Sequence, residues 1–114
     1  MKHQDLKKLK DLAGLMLDHQ LDQLRRAAEA KAQSEAALAR LATPPAPAHD
    51  GLEGASAALA GLAYQRWADA RRAEINQTLA RQTHHWMEAR DAAQKAFGKA
   101  EALRQLAEKR KNAR

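Results

Sequence analysis

WMEARDAAQKAFGKAEALRQLAEKR, residues 86–110, contains no proline and one glycine, and its apolar side chains return at helical intervals for about seven turns. With Ile75 and Leu79 as anchors, alternating steps of four and three pass through Ile75, Leu79, Gln82, Trp86, Ala89, Ala93, Ala96, Ala100, Leu103 and Ala107. A heptad beat sustained this long marks a helix that packs along its length on another helix. Most of the seam is alanine, which predicts a close approach of the two backbones. Leu21, Leu24, Trp86 and Phe97 are expected to supply the larger contact area, with Phe97 and Leu106 widening the seam on one flank.

Working back from that stretch, no proline occurs after Pro47, and Gly61 and Gly98 are isolated enough to sit within a helix. All three prolines, Pro44, Pro45 and Pro47, fall with Gly51 and Gly54 in ATPPAPAHDGLEG, residues 42–54. Together they remove helical hydrogen bonds and favour turning, so the chain is expected to reverse there. PPAP fits a P-x-x-P pattern but has no basic residue close by, and a connecting loop is the simpler reading. Ahead of the break, Leu6, Leu9, Ala13, Met16, Leu17, Leu21, Leu24, Ala28, Leu38 and Leu41 follow one another mostly by threes and fours, again a helix. Leu6, Leu17, Ala28 and Ala39 stand eleven apart, which predicts a stripe that drifts off the heptad and wraps its partner weakly.

The expected fold is therefore all-α, two long helices forming an antiparallel coiled-coil hairpin: a first helix within 1–42, a loop over 43–54, and a second, longer helix within 55–114 with a basic C-terminal end. At about 1.5 Å per residue the helical spans 6–42 and 56–109 would be roughly 55 and 80 Å long, unequal by about 17 residues. Either one end of the second helix overhangs, or residues 55–63, ASAALAGLA, fold loosely beside the loop. A bundle of two hairpins would satisfy the same periodicity.

Composition narrows the function. Among 114 residues only 4% are aromatic and 30% are charged, which disfavours a thick globular core. Without cysteine there is no disulfide framework, thiolate zinc site or cysteine nucleophile. The first twenty residues break their apolar run at Asp11, Gly14 and Asp18, unlike a signal peptide, and no window is apolar enough to span a bilayer, so a cytoplasmic protein is expected. The net charge of +6 raises the possibility of nucleic acid, but acidic residues are interspersed along most of the chain, and no nucleic-acid partner is expected. His84 and His85 point about 100° apart on a helix and cannot both hold one ion in the i, i+4 manner; His3, His19 and His49 stand elsewhere. No phosphate loop, nucleophile elbow or paired-carboxylate motif occurs, so neither an enzyme nor a cofactor is expected.

What remains is surface. Trp86 lies in the seam and is most simply a packing residue, whereas Trp67, beside the back-extended seam positions Arg72 and Ala68, has the placing of a protein-contact anchor, with Tyr64 near it. Arg104, Lys109, Arg110, Lys111 and Arg114 crowd the C-terminal end. They either oppose the helix dipole or seek an acidic cavity in a partner.

Two stretches, LKKLKDLAGLMLDHQLDQLRRA (6–27) and YQRWADARRAEINQTLARQTHHWMEARDAAQKAFGKAEALRQLAEKR (64–110), resemble the FliJ/YscO family, the central stalk proteins of flagellar and type III secretion export ATPases. The W-x₁₀-F spacing of Trp86 and Phe97, followed by K-x-x-A-L-x-x-L from Lys99 to Leu106, carries the likeness. The resemblance implies a non-enzymatic antiparallel coiled coil at the cytoplasmic face of an export apparatus, touching the membrane only through partners. Its free ends, residues 2–24 and 92–114 with Arg104, Lys109 and Arg110, would enter the pore of the ATPase hexamer. Trp67, Ala68, Arg72, Ile75 and Leu79 would meet the cytoplasmic domain of the export-gate membrane protein, and export chaperones are further candidate partners. Arg72 stands where the family pattern expects an apolar residue. The alternative is a coiled-coil chaperone or scaffold that holds another protein's helix with no effect on ATP hydrolysis.

Overall fold

The computed structural model describes residues 2–42 and 54–113. They form two helices, α1 (His3–Leu41) and α2 (Gly54–Asn112). Against the expected helical spans 6–42 and 56–109, α1 starts three residues earlier and ends one earlier, and α2 starts two earlier and ends three later. The prolines and Gly51 of the expected loop lie outside the described residues.

Each terminus has a local cause. The amides of Asp5 and Leu6 donate to the Lys2 carbonyl, starting α1, and Asp5 places negative charge in its first turn. Ala42 closes α1 by donating to the carbonyls of Leu38 and Ala39. Gly54 opens α2 with φ +42°, a left-handed conformation that a side chain would disfavour. Lys109, Arg110 and Lys111 fill the last turn of α2, where cations oppose the helix dipole.

The helices divide into two compact units, residues 1–29 with 83–114 and residues 30–82. Each unit is an antiparallel pair of helical segments. In the first, Leu9, Leu12 and Met16 share a depression with Lys99, Ala102 and Leu103, and further along α1 Gln20 shares one with Ala92. In the second, Ala30, Gln33, Ser34 and Ala37 lie along Arg71, Glu74, Ile75, Thr78 and Gln82, and the Ser34 hydroxyl donates to Gln82 Oε1 across the pair. The coiled-coil hairpin expected from the sequence is the architecture found.

Burial reproduces the α2 seam position by position. Ile75, Ala89 and Ala93 are buried, and Leu79, Gln82, Trp86, Ala96, Ala100, Leu103 and Ala107 are half-buried. Extended backwards, the seam takes in half-buried Arg72 and buried Ala68. The guanidinium of Arg90 covers the Trp86 ring at 5.1 Å, a cation–π contact that holds the indole at the margin of the seam.

The α1 seam differs from the expected one. From Ala13 the covered positions run Ala13, Leu17, Gln20, Leu24, Ala27, Lys31, Ser34, Leu38 and Leu41, a regular alternation of four and three. The eleven-residue drift is therefore corrected to a heptad: Ala39 is exposed, and Ala27 rather than Ala28 is the buried member. The regular stripe passes through Gln20, Lys31 and Ser34, which apolar counting skips. Leu9, Met16 and Leu21, expected in the seam, are exposed beside it. Phe97 and Leu106 are also exposed, and nine residues apart on a helix puts them on opposite flanks, not one. Of the larger seam side chains, Leu6 and Ile75 are buried and Leu17, Leu24, Trp86 and Leu103 are half-buried.

The inequality of the arms resolves at the loop end. Helix α1 has 39 residues and α2 has 59, a difference of 20. Six residues of α1 precede Leu9 and nine of α2 follow Leu103, its neighbour, so the start of α1 and the end of α2 are nearly level. In the second unit Ala37 lies alongside Ile75, four residues before α1 ends, whereas α2 reaches back to Gly54. Residues 55–63 are helical and exposed, an overhang and not a loose fold.

Candidate partner-binding surfaces

The core is thin. Leu6, Ala13, Ala27, Ala68, Ile75, Ala89 and Ala93 are its buried members, and no polar side chain is buried among the described residues. Among the described residues, the depressions that Ala13, Met16 and Leu9 share with α2, and that Ala30 to Ala37 share with Arg71 to Gln82, are open to solvent and gather no convergent set of acids, bases or nucleophiles. Among the described residues no three metal-ligating side chains gather. His84 pairs with Glu88 one turn on, at 2.5 Å, and His85 is exposed. No described helix is long and apolar enough to cross a membrane.

The first candidate surface is the free end of the first unit. Lys109, Arg110 and Lys111 of α2 are joined there by Lys2, Lys7, Lys8 and Lys10 from the start of α1, and these cations form no ion pair among the described residues. Arg104 differs from its neighbours. Its Nε donates to both carboxylate oxygens of Glu101 at 3.1 and 3.2 Å, and its Nη1 donates to Glu108 at 2.7 Å. Two carboxylates thus neutralise it locally, and the accessible positive charge lies in the lysines and Arg110. The α1 lysines were not singled out from sequence, although the antiparallel expectation already placed them at this end.

The hydrogen bond from Arg104 holds the Glu101 carboxyl below its ordinary pKa, opposed by partial desolvation and aided by the guanidinium charge and Gln105; the same pairing raises Arg104. A depressed carboxylate contributes stability above its unfolded pKa, and that contribution fades as pH falls through the lowered folded value. Arg104→Gln should move the Glu101 titration upward in a carbon-detected NMR pH series while leaving the melting temperature at neutral pH essentially unchanged, because the pair is exposed. An unmoved Glu101 midpoint would mean that the pair does not form in solution.

The second surface lies where the overhang meets the paired seam. The Trp67 side chain is exposed and lies 5.8 Å, centroid to centroid, from the Tyr64 ring. Of the five residues expected to meet a gate protein, only Trp67 offers an exposed large apolar side chain. Ala68 and Ile75 are buried, Arg72 and Leu79 are half-buried, and Arg72 donates to Asp69 at 2.7 Å. The expectation that Trp67 sits on the flank beside Ala68 agrees with this geometry.

The third surface was not anticipated. Leu9, Leu12 and Met16 step by three and four along α1, and Lys99, Ala102 and Leu106 do the same along α2. The depression that Leu9, Leu12 and Met16 share with Lys99 and Ala102 puts the two stripes on one side of the pair. The signal for it is in LAGLML, residues 12–17, six consecutive residues without a charge, which no single helix face can cover.

Comparison with known proteins found no matching family model, no similar curated protein and no similar solved structure.

Proposed function

We propose that this chain is a non-enzymatic stalk of a flagellar or type III protein export apparatus, promoting assembly of the export-ATPase ring and coupling it to the export gate. The supporting observation is the cationic end of the first unit, where exposed lysines early in α1 and late in α2 lie on one end of an antiparallel pair and form no ion pair among the described residues. Solvated lysines suit a rod seated in an acidic pore, because charge attraction without a single deep contact permits turning. The FliJ/YscO-like residues 64–110 add to this reading, in which function is carried by surfaces. In the same proposal Trp67 and Tyr64, beside the overhang, contact the cytoplasmic domain of the gate protein.

The test is ATP hydrolysis by a partner export ATPase from the same cell. Stimulation near one chain per hexamer is expected, with loss of stimulation when Lys109, Arg110 and Lys111 are all changed to glutamate. No stimulation by a fully helical wild-type chain would overturn the stalk reading. Stoichiometric binding to an export substrate without any effect on hydrolysis would establish the chaperone or scaffold instead.

A further inference from the structure

The geometry points to the groove between Leu9, Leu12 and Met16 of α1 and Lys99, Ala102 and Leu106 of α2 as a docking site for a third helix, an acidic amphipathic segment of another protein. This does not rest on the export reading, since it names the chemistry of the occupant and not the machine.

Three observations carry it. The first is spacing: beside the buried seam, each helix bears a second stripe in steps of three and four, and Leu9, Leu12 and Met16 share one depression with Lys99 and Ala102, whose stripe Leu106 continues one turn on. Two helices with adjoining heptad stripes leave the groove that a third helix fills when a coiled-coil pair becomes a three-helix bundle. The second is exposure. Leu9 is 41% exposed, Leu12 54%, Met16 51% and Leu106 47%, a concentration of large apolar side chains that an unaccompanied pair leaves in water.

The third observation is charge, and it selects the occupant. Along the groove flank of α2, positions 92, 95, 99, 102, 106 and 109 hold Ala92, Lys95, Lys99, Ala102, Leu106 and Lys109, with no carboxylate among them. Glu101 and Glu108 project from the opposite flank, where Arg104 engages both. Lys95 and Lys99 form no ion pair among the described residues and are exposed, Lys99 on the groove and Lys95 at its margin nearer Gln20. Glutamates flanking the apolar stripe of an incoming helix would meet these ammonium groups, while the leucine and methionine side chains provide the area. Apolar burial then sets affinity and the lysines set choice of partner. A second copy of this chain suits the groove poorly, because joining the two faces would bring two sets of lysines together.

Full-length protein would be titrated into a fluorescein-labelled three-heptad peptide with leucine at its core positions and glutamate on its flanks, and into a twin with lysine on the flanks. Binding of the glutamate peptide at least about tenfold tighter than of its twin is expected. Met16→Asp and Lys99→Glu, both at exposed positions, should each weaken it by about tenfold or more, whereas Phe97→Ser on the opposite flank should not. The inference is overturned if neither peptide binds a helical, monomeric chain, or if both bind alike. It is equally overturned if the chain sediments as a dimer that Met16→Asp dissociates, which would make a second copy the occupant. Binding to vesicles of phosphatidylcholine and phosphatidylglycerol, lost in Lys99→Glu and unaccompanied by peptide binding, would assign the groove to a membrane surface and overturn it too.

Discussion

Ala89→Asp is expected to destabilise the first unit by about 2–4 kcal/mol, enough to unfold much of it at physiological temperature. Ala89 is 7% exposed and sits one turn after Trp86 and four residues before buried Ala93. A carboxylate introduced there would leave water for a seam of alanine methyls, in which no side chain is both buried and polar. Aspartate also has the weaker helix propensity, but that accounts for only about 0.7 kcal/mol. Gln94→Asp, at an exposed position of the same helix, isolates this smaller cost and should lower stability by several tenths of a kcal/mol at most.

The pH dependence separates charge burial from steric damage. Desolvation raises the folded-state pKa of the introduced carboxyl above its unfolded value, so the variant's deficit should shrink as pH falls toward about 4, where the neutral form is available in both states. Circular-dichroism melts of wild type, Ala89→Asp and Gln94→Asp at neutral and mildly acidic pH provide the measurement. Equal losses for the two variants would mean that Ala89 is not in a packed seam.

The fold was legible where the seam is apolar and hidden where it is not. In α2 an almost unbroken row of alanine, leucine and tryptophan made the register readable from Ile75 to Ala107, and even Gln82 fell into place because its neighbours fixed the beat. In α1 the leucines are more numerous than the seam needs. Leu9, Leu12, Leu15, Met16 and Leu21 surround the helix, so choosing apolar positions at helical steps led off the true stripe, whose later members include Lys31 and Ser34. Hydrophobicity alone reports the face an isolated helix would bury, whereas register is chosen by both helices together.

The same surplus explains what sequence reasoning missed at the surfaces. Leu9 and Met16 were assigned to the core, so the groove they help to form stayed invisible until burial showed them outside it. Trp67 was readable because the seam next to it was: once Ala68 is inward, its neighbour is turned about 100° away on the flank. Arg104 could have been predicted to be neutralised from Glu101 and Glu108 at helical spacing, and its inclusion in a cationic cluster overlooked that local pairing.

Replacing both Ser34 and Gln82 with leucine should stabilise the second unit by about 1–2 kcal/mol and weaken its specificity. The two residues occupy half-buried seam positions on facing segments, joined by a hydrogen bond from Ser34 Oγ to Gln82 Oε1. Such a bond contributes roughly 1 kcal/mol net. Two leucines half-covered in its place gain more than that, since full burial of each is worth about 1.5–3 kcal/mol. Gln82→Leu alone should be nearly neutral: the serine hydroxyl loses this partner but can return to the carbonyl one turn earlier on its own helix. The double change should therefore exceed the sum of the two single changes. Stability is only half of the expectation. A polar pair across a seam penalises every register that separates its members, and leucine at both positions removes that penalty and suits larger bundles equally well. Melting temperature should consequently rise in the double variant and become dependent on protein concentration, the sign of self-association, while the wild type melts independently of it. A double variant that melts lower than wild type, or higher but without concentration dependence, would show that the Ser34 and Gln82 pair does not hold the two segments in register.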